Sequence, residues 1–242
     1  LLPVVGNHDT PTFGSHADTT SFEKLFSLGS SSGKDTYWAL RYGSAAFIGL
    51  NSETAQSWVS TSDWKPGGKQ YTWLQGALAK LPAAATWRFA AWHIPPYNAG
   101  VRHANQNQST RGVTLLLEGK IDWVLGGHEH MYQRTKPVQY GGVNSSGVWG
   151  KAAAKYGRGA ADGVGYLMAP AAGHDPPEAS LLAASASERA LLAYPGAAQI
   201  SGDKIATWVG FVMAEVKGKT LTIKAHQLGV STPRDQLSYT KP

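Results

Sequence analysis

Three short apolar segments of this sequence each run directly into residues that carry histidine, and this arrangement strongly limits the fold. Residues 1–5 lead into Gly6-Asn7-His8-Asp9, residues 87–92 lead into His93, and residues 121–125 lead into Gly126-Gly127-His128-Glu129-His130. Short apolar runs that end at glycine or polar residues predict buried strands. Loops at strand ends carry most ligand-binding groups in such sheets. The sequence therefore predicts a polar site where three strands end.

The segments between these runs predict an α/β fold. Trp73, Leu74, Ala77, Leu78 and Leu81 recur at helical spacing, which predicts a helix over residues 70–81. Further helical turns are expected at residues 21–28 and 113–118, and aromatic-rich strands at 37–50. The stretch 179–192 is rich in Ala and Leu and predicts another helix, and residues 208–225 alternate as a hairpin does.

Composition bounds the class of protein. The 242 residues are 42% hydrophobic, which favours one domain spanning residues 1–242. No apolar run approaches the roughly 20 residues that a membrane helix needs, so no membrane partner is expected. The net charge of +6 favours anionic ligands, but the basic residues form no stripe interleaved with aromatics, so no nucleic-acid partner is expected either.

The sequence contains no cysteine. This excludes disulfides, thiolate metal ligands and a cysteine nucleophile, and it leaves His, Asn, Asp, Glu and Tyr as possible metal ligands.

Each histidine motif alone has an ordinary explanation. The turn at residues 6–9 is compatible with a simple Asx turn, and the pair His128 and His130 with exposed loop residues. In extended backbone, however, an H-x-H pair places both imidazoles on one side with Cα atoms about 6 to 7 Å apart, which suits a centre of two metals. His103 and Arg102 lie in a polar loop, where they are either solvated or turned towards phosphate oxygens.

The order of the motifs carries more information than any one of them. GNHD at residues 6–9, WHIPPY at 92–97 and GGHEHMYQR at 126–134 together resemble the calcineurin-like metallophosphoesterases. The chain is most similar to the purple acid phosphatase branch, because YWALRYGSAAFIGLNSE at 37–53, residues 70–74 and His103 also fit that pattern. The resemblance covers most of residues 1–137. It implies a partial four-layer α/β/β/α sandwich that lacks its first β-α-β segment.

The same resemblance assigns roles to individual residues. It makes Asn7, His93 and His128 ligands of the second metal and His130 a ligand of the first. It makes His8 the acid or phosphate contact and Asp9 the group that orients His8. His103, with Arg102 where relatives often carry a second histidine, is expected to contact the substrate.

One part of the family pattern does not precede Gly6. The family uses an Asp on its first strand and a G-D-x-x-Y segment whose Asp bridges both metals, and Gly202-Asp203 does not match that motif. We therefore expect the amino-terminal part of the catalytic domain to be missing from this sequence.

The resemblance implies an acid-phosphatase-like hydrolase that cleaves phosphomonoesters by attack of a metal-bound hydroxide, with His8 as acid. It implies two metal ions, Fe with Zn, Mn or Fe, a phosphate ester substrate, and a secreted or periplasmic location. Two alternatives stay open. One is a metal-poor fragment or scaffold of this fold without catalysis. The other is a mononuclear zinc hydrolase that uses His93, His128 and His130 with Glu129 as base.

Overall fold

The computed structural model describes residues 1–9, 19–26, 36–55, 61–100, 113–140, 150–172, 179–181, 184–196, 199–201 and 204–242. Its helices are α1 (Thr20–Leu25), α2 (Lys69–Ala79), α3 (Thr114–Leu117) and α4 (Ala186–Arg189), with 3-10 turns at Ser52–Ala55 and Thr61–Trp64. Its strands are β1 (Trp38–Tyr42), β2 (Ala45–Gly49), β3 (Trp87–Ala91), β4 (Trp123–Gly126), β5 (Gln133–Thr135), β6 (Val138–Gln139), β7 (Lys151–Ala152), β8 (Gly165–Met168), β9 (Ala179–Leu181), β10 (Leu192–Tyr194), β11 (Ile200–Ser201), β12 (Lys204–Ala206), β13 (Gly210–Lys217), β14 (Thr220–Gln227) and β15 (Asp235–Thr240).

A seven-stranded mixed sheet forms the centre, in the order β1-β2-β3-β4-β8-β5-β10. The strands β2, β3, β4 and β8 run parallel to one another, whereas β1, β5 and β10 pair antiparallel with their neighbours. Strands in the middle of a parallel sheet are buried on both faces, and β2, β3 and β4 are accordingly short and apolar. Their carboxyl ends lie side by side at one edge of the sheet.

Each face of this sheet has its own core. On one face, Leu74 and Leu78 of α2 pack with Ile48, Ala90 and Val124 of the sheet. The helix begins one residue before the predicted start and ends two residues before the predicted end. Its apolar side faces this core.

The opposite face packs against a three-stranded antiparallel sheet of β13, β14 and β15. Trp87, Phe89 and Trp123 of the central sheet form one cluster with Leu221 and Ile223 of β14. The layers α, β and β thus follow one another, as the predicted α/β/β/α sandwich requires, and the mixed α/β fold class is confirmed. None of the described helices combines the length and the apolar character needed to cross a lipid bilayer.

Two predicted elements are wrong. Residues 1–5 form no strand among the described residues: Pro3 lacks an N–H for a ladder, and its carbonyl accepts instead from the Trp38 indole, at 2.9 Å. The predicted helix over 179–192 is divided between β9, which pairs with β12, the single turn α4, and β10, which pairs with β5. Ladders to distant strands outweigh the helix propensity of Ala and Leu there.

Candidate metal centre

The carboxyl ends of β2, β3 and β4 bring three polar segments to one edge of the central sheet. Asn51, Ser52 and Glu53 follow β2, His93 follows β3, and His128 follows β4. The parallel pairing continues past the strands, because Gly127 N–H donates to the His93 carbonyl at 2.9 Å and Leu50 N–H donates to the Ala91 carbonyl, also at 2.9 Å. This is the edge at which ligands gather in α/β sheets.

Asn7, His93 and His128 meet at this edge. His93 Nε2 lies 2.8 Å from Asn7 Oδ1 and 3.1 Å from His128 Nδ1. The centroids of the two imidazole rings are 4.9 Å apart, and the ring planes meet at 72°. Gly6 permits this approach, because a Cβ at that position would lie only 3.1 Å from His93 Nδ1. The structure therefore brings together three of the four side chains that the resemblance names as metal ligands.

The three donor atoms have spacings that suit a single cation. Two ligand atoms that lie about 2.1 Å from a common ion and subtend a right angle there are about 3.0 Å apart. The observed separations of 2.8 and 3.1 Å agree with that value. In addition, an amide oxygen and the unprotonated nitrogen of a neutral imidazole each carry a lone pair, so all three atoms can bind one cation. The donor set thus fits a metal ion.

The backbone at His128 differs from the extended form that the sequence predicts. His128 has φ of 70°, in the left-handed region that non-glycine residues seldom adopt. Glu129 N–H donates to the Gly127 carbonyl and Met131 N–H to the Glu129 carbonyl, both at 2.8 Å, which closes two tight bends. These bends direct the His128 ring towards His93.

His130 is half-buried two residues further on. Within the described ranges, no three His, Asp or Glu side chains gather where one ion could contact them all. His93, His128 and His130 therefore do not form the mononuclear zinc site considered as an alternative. The expected assignment of His130 to the other metal stays a prediction.

His8 and Asp9 are both exposed. The Asp9 carboxylate accepts from Gly6 N–H at 2.8 Å, and Asp9 N–H donates to the Gly6 carbonyl at 3.0 Å. Asp9 thus closes the turn that presents Asn7, and its expected role in orienting the His8 ring stays a prediction. Arg102 and His103 lie outside the described residues.

The sequence analysis missed the polar segment after β2 as part of this site. Ser52 Oγ accepts from Ile94 N–H at 2.9 Å, which ties this segment to the residue after His93. Glu53 is 4% exposed, and burial, together with the negative charge of Asp9, raises its pKa to about 7, against a lowering by the Ser52 hydroxyl. The position of Asn51, Ser52 and Glu53 directly after an apolar strand was the available signal.

The sequence profile of the calcineurin-like phosphoesterases matches residues 1–132. That is more than half of the chain, and the chain belongs to this family of hydrolases.

The relatives with the most similar sequences include purple acid phosphatases of Arabidopsis thaliana. Probable purple acid phosphatase 20 is 36% identical over 84 residues, which is 33% of this chain and 20% of that protein. Purple acid phosphatase 23 is 28% identical over 143 residues, which is 57% of this chain and 30% of that protein. The chain thus spans less than a third of the length of these relatives.

A solved structure shares the fold. The purple acid phosphatase PPD1 from yellow lupin (Lupinus luteus) seeds superposes with a TM-score of 0.64 over 98% of this chain and 40% of that chain, at 16% identity. The identity is low, so the match concerns the architecture alone.

Proposed function

We propose that this chain contributes to a binuclear metal-dependent phosphoesterase that hydrolyses phosphomonoesters. One observation carries the proposal. At the carboxyl edge of the parallel strands, His93 Nε2 lies 2.8 Å from Asn7 Oδ1 and 3.1 Å from His128 Nδ1. Membership of the calcineurin-like phosphoesterases supports the same reaction class. The proposal includes a phosphate ester as substrate. It also includes Fe with Zn, Mn or Fe as the metals and a secreted or periplasmic location, which follow from the resemblance of the sequence motifs to those of the purple acid phosphatases.

The residues divide into two tasks under this proposal. Asn7, His93 and His128 hold one cation and His130 holds the other. Bound cations supply polarisation of the phosphoryl oxygens and lower the pKa of water. His8 is exposed beside Asn7, and in its protonated form it donates a proton to the leaving alkoxide. Asp9 keeps the turn closed through Gly6 N–H, so that Asn7 stays directed at His93. His103 and Arg102 are proposed to contact the phosphate.

Substitutions in the full-length protein separate these tasks. We expect His128→Ala to lower both the bound metal, measured by elemental analysis, and the turnover of p-nitrophenyl phosphate, because it removes one of three donors. We expect His8→Ala to lower kcat by about 10² to 10⁴ while the metal content stays unchanged.

His226→Ala is the matched control. His226 lies on β14 of the smaller sheet, where its ring stacks on that of Phe211 with the ring centroids 5.3 Å apart. Its replacement should change neither metal content nor turnover. Full activity and full metal content in His128→Ala would refute the proposed ligand set.

The second candidate is a metal-poor scaffold of the same fold. The observation that favours it is that the described residues bring one amide and two imidazoles together without a carboxylate, and neutral donors alone hold a dication weakly. Metal analysis of the purified full-length protein decides between the two. Close to two ions per chain supports the enzyme, and close to none supports the scaffold.

A further inference from the structure

Glu129 lies between His128 and His130, yet it is 2% exposed and directed away from solvent. Its Oε2 accepts a hydrogen bond from Asn98 Nδ2 at 3.0 Å. Asn98 is buried as well, and its Oδ1 accepts from Gly100 N–H at 2.8 Å. Burying a carboxyl group costs free energy unless the group is hydrogen-bonded, so Glu129 needs a partner in the interior. The partner is the segment of residues 97–100, which follows β3 and His93 in the chain.

The backbone of this segment is shaped around Glu129. A Cβ on Gly100 would lie 2.5 Å from Glu129 Cδ and 2.7 Å from Cγ, closer than real Cβ contacts come. Glycine at position 100 therefore admits the Glu129 side chain.

Gln133, the first residue of β5, also contacts residues 97–100. Its Oε1 accepts from Ala99 N–H at 2.9 Å, and its Nε2 donates to the Tyr97 carbonyl at 3.1 Å. Together with the bond from Gly127 N–H to the His93 carbonyl, these contacts tie residues 93–100 to residues 127–133 at both ends. The relative position of His93 and His128 is set between these ties.

We propose that Glu129 is a positioning residue: through Asn98 it holds segment 97–100 against the bend at residues 127–130 and so fixes the approach of His128 to His93. This inference rests on the proposed metal centre for its functional meaning, but its geometry involves the protein alone. On this proposal, Glu129 keeps His93 and His128 in their relative positions. Its buried Oε2 accepts from Asn98 and does not act as a general base.

The first test uses the metal-free chain. Imidazole ring nitrogen signals of His93 and His128, assigned by ¹⁵N-detected NMR, should move in Glu129→Ala, because the bend that directs His128 loses its anchor. They should return to the wild-type positions in Glu129→Gln, whose amide oxygen still accepts from Asn98. A purely structural role would lower Tm and leave the ring signals of the folded protein in place, and that result would overturn the inference.

The second test is a double-mutant cycle with Gly100. We expect Gly100→Ala to lower Tm by about 3 °C or more in the wild type, and by less than about 1 °C in the Glu129→Ala background, where the atoms it would strike are gone. Gly76→Ala in α2 is the matched control, since nothing lies within 4 Å of its added Cβ. Additive effects of the two substitutions would contradict the proposed contact, and the cycle applies even if Glu129→Ala is much less stable.

Metal affinity then connects the inference to function. With Zn²⁺ as the probe, Glu129→Ala should raise Kd about 10- to 100-fold, which is the typical effect of removing a residue that holds a metal ligand in place. Glu129→Gln should restore the wild-type Kd. If the wild-type full-length protein binds no Zn²⁺, the proposed metal centre is refuted, while the ring signals and the double-mutant cycle still decide the role of Glu129.

Discussion

Glu53 shows how burial at the strand ends changes the acid chemistry of a single residue. It is 4% exposed, and Glu53 N–H donates to Asn51 Oδ1 at 3.0 Å, while the Asn51 backbone is held by Gln70. The side chain thus enters the interior because its backbone is fixed there. Desolvation raises its pKa to about 7, and the Asp9 carboxylate adds to the rise.

The raised pKa of Glu53 predicts a loss of stability with rising pH. Above pH 4.5 the unfolded chain releases this proton, whereas the folded chain keeps it until about pH 7. The free energy of unfolding should therefore fall across that window, by at most about 3 kcal/mol, and Glu53→Gln should flatten the profile. Urea denaturation of the metal-free chain at pH 5 and pH 8 measures this.

Glu215→Gln is the control for this prediction, because its carboxylate lies on the surface. It should leave the slope with pH as it is in the wild type. An equal slope in Glu53→Gln and the wild type would show that Glu53 ionises normally.

At this scale the sequence predicted which side chains meet but not how they are held. Asn7, His93 and His128 follow apolar runs, and the parallel sheet brings two of those run ends together, so their convergence could be anticipated. The left-handed backbone of His128 and the burial of Glu53 depend on contacts from distant segments, which the spacing of residues does not encode.

Between elements, the ion pair of Arg134 and Asp235 joins the two sheets. Arg134 of β5 donates to both carboxylate oxygens of Asp235 on β15, at 2.6 and 2.9 Å, and the Tyr132 hydroxyl donates to the same carboxylate at 2.8 Å. Burial and the Asp235 charge raise the pKa of Tyr132, so its hydroxyl remains a donor. Two parallel hydrogen bonds fix the angle at which the strands cross.

Removing one partner of this ion pair should be costly. We expect Asp235→Ala to lower the free energy of unfolding by about 3 to 5 kcal/mol, because Arg134 would be left buried without its counter-charge. Denaturant titration measures the loss. Replacing both residues, as in Arg134→Met with Asp235→Leu, should recover much of it.

The exposed pair Lys217 and Glu215 provides the comparison. These side chains are 2.9 Å apart but 76% and 61% exposed. Glu215→Ala should change stability by less than about 1 kcal/mol. A similar loss in Asp235→Ala and Glu215→Ala would mean that the pair between the sheets contributes no more than a surface contact.

Elements with strong periodicity were predictable, and those defined by distant pairing were not. The helix expected over 70–81 is α2 (Lys69–Ala79), and the apolar runs before His93 and His128 are β3 and β4. The helix predicted over residues 179–192 is wrong because β9 pairs with β12 and β10 pairs with β5, both of which are distant in sequence. The single turn α4 begins at a capping box, in which the side chains of Ser185 and Glu188 each accept from the backbone N–H of the other.

Over the whole molecule, the end of the central sheet opposite the candidate metal centre is closed by a buried carboxylate. Asp122 is fully buried ahead of β4, and it accepts from Arg88 N–H at 2.9 Å and from Lys241 Nζ at 2.6 Å. Lys241 follows β15 and also lies over the Trp87 ring at 4.4 Å. These contacts attach the smaller sheet to the central one.

We propose that residues 1–242 unfold as one domain, because the two sheets share a core and a buried charge cluster. Tryptophan fluorescence and far-ultraviolet circular dichroism should then give coincident urea transitions. Asp122→Ala should move both transitions by the same amount. Two separated transitions, with β13–β15 melting first, would show that the smaller sheet is an independent unit.

The left-handed backbone at His128 restricts what can replace this residue over evolutionary time. Asn and Asp adopt that conformation more readily than other side chains with a cation-binding atom, whereas β-branched residues resist it. Under the proposed ligand set, single changes that preserve the bend exchange a nitrogen donor for an oxygen donor, which favours harder ions such as magnesium or manganese. On that proposal, the shape of the main chain at this position would restrict the ions that a descendant of this protein could use.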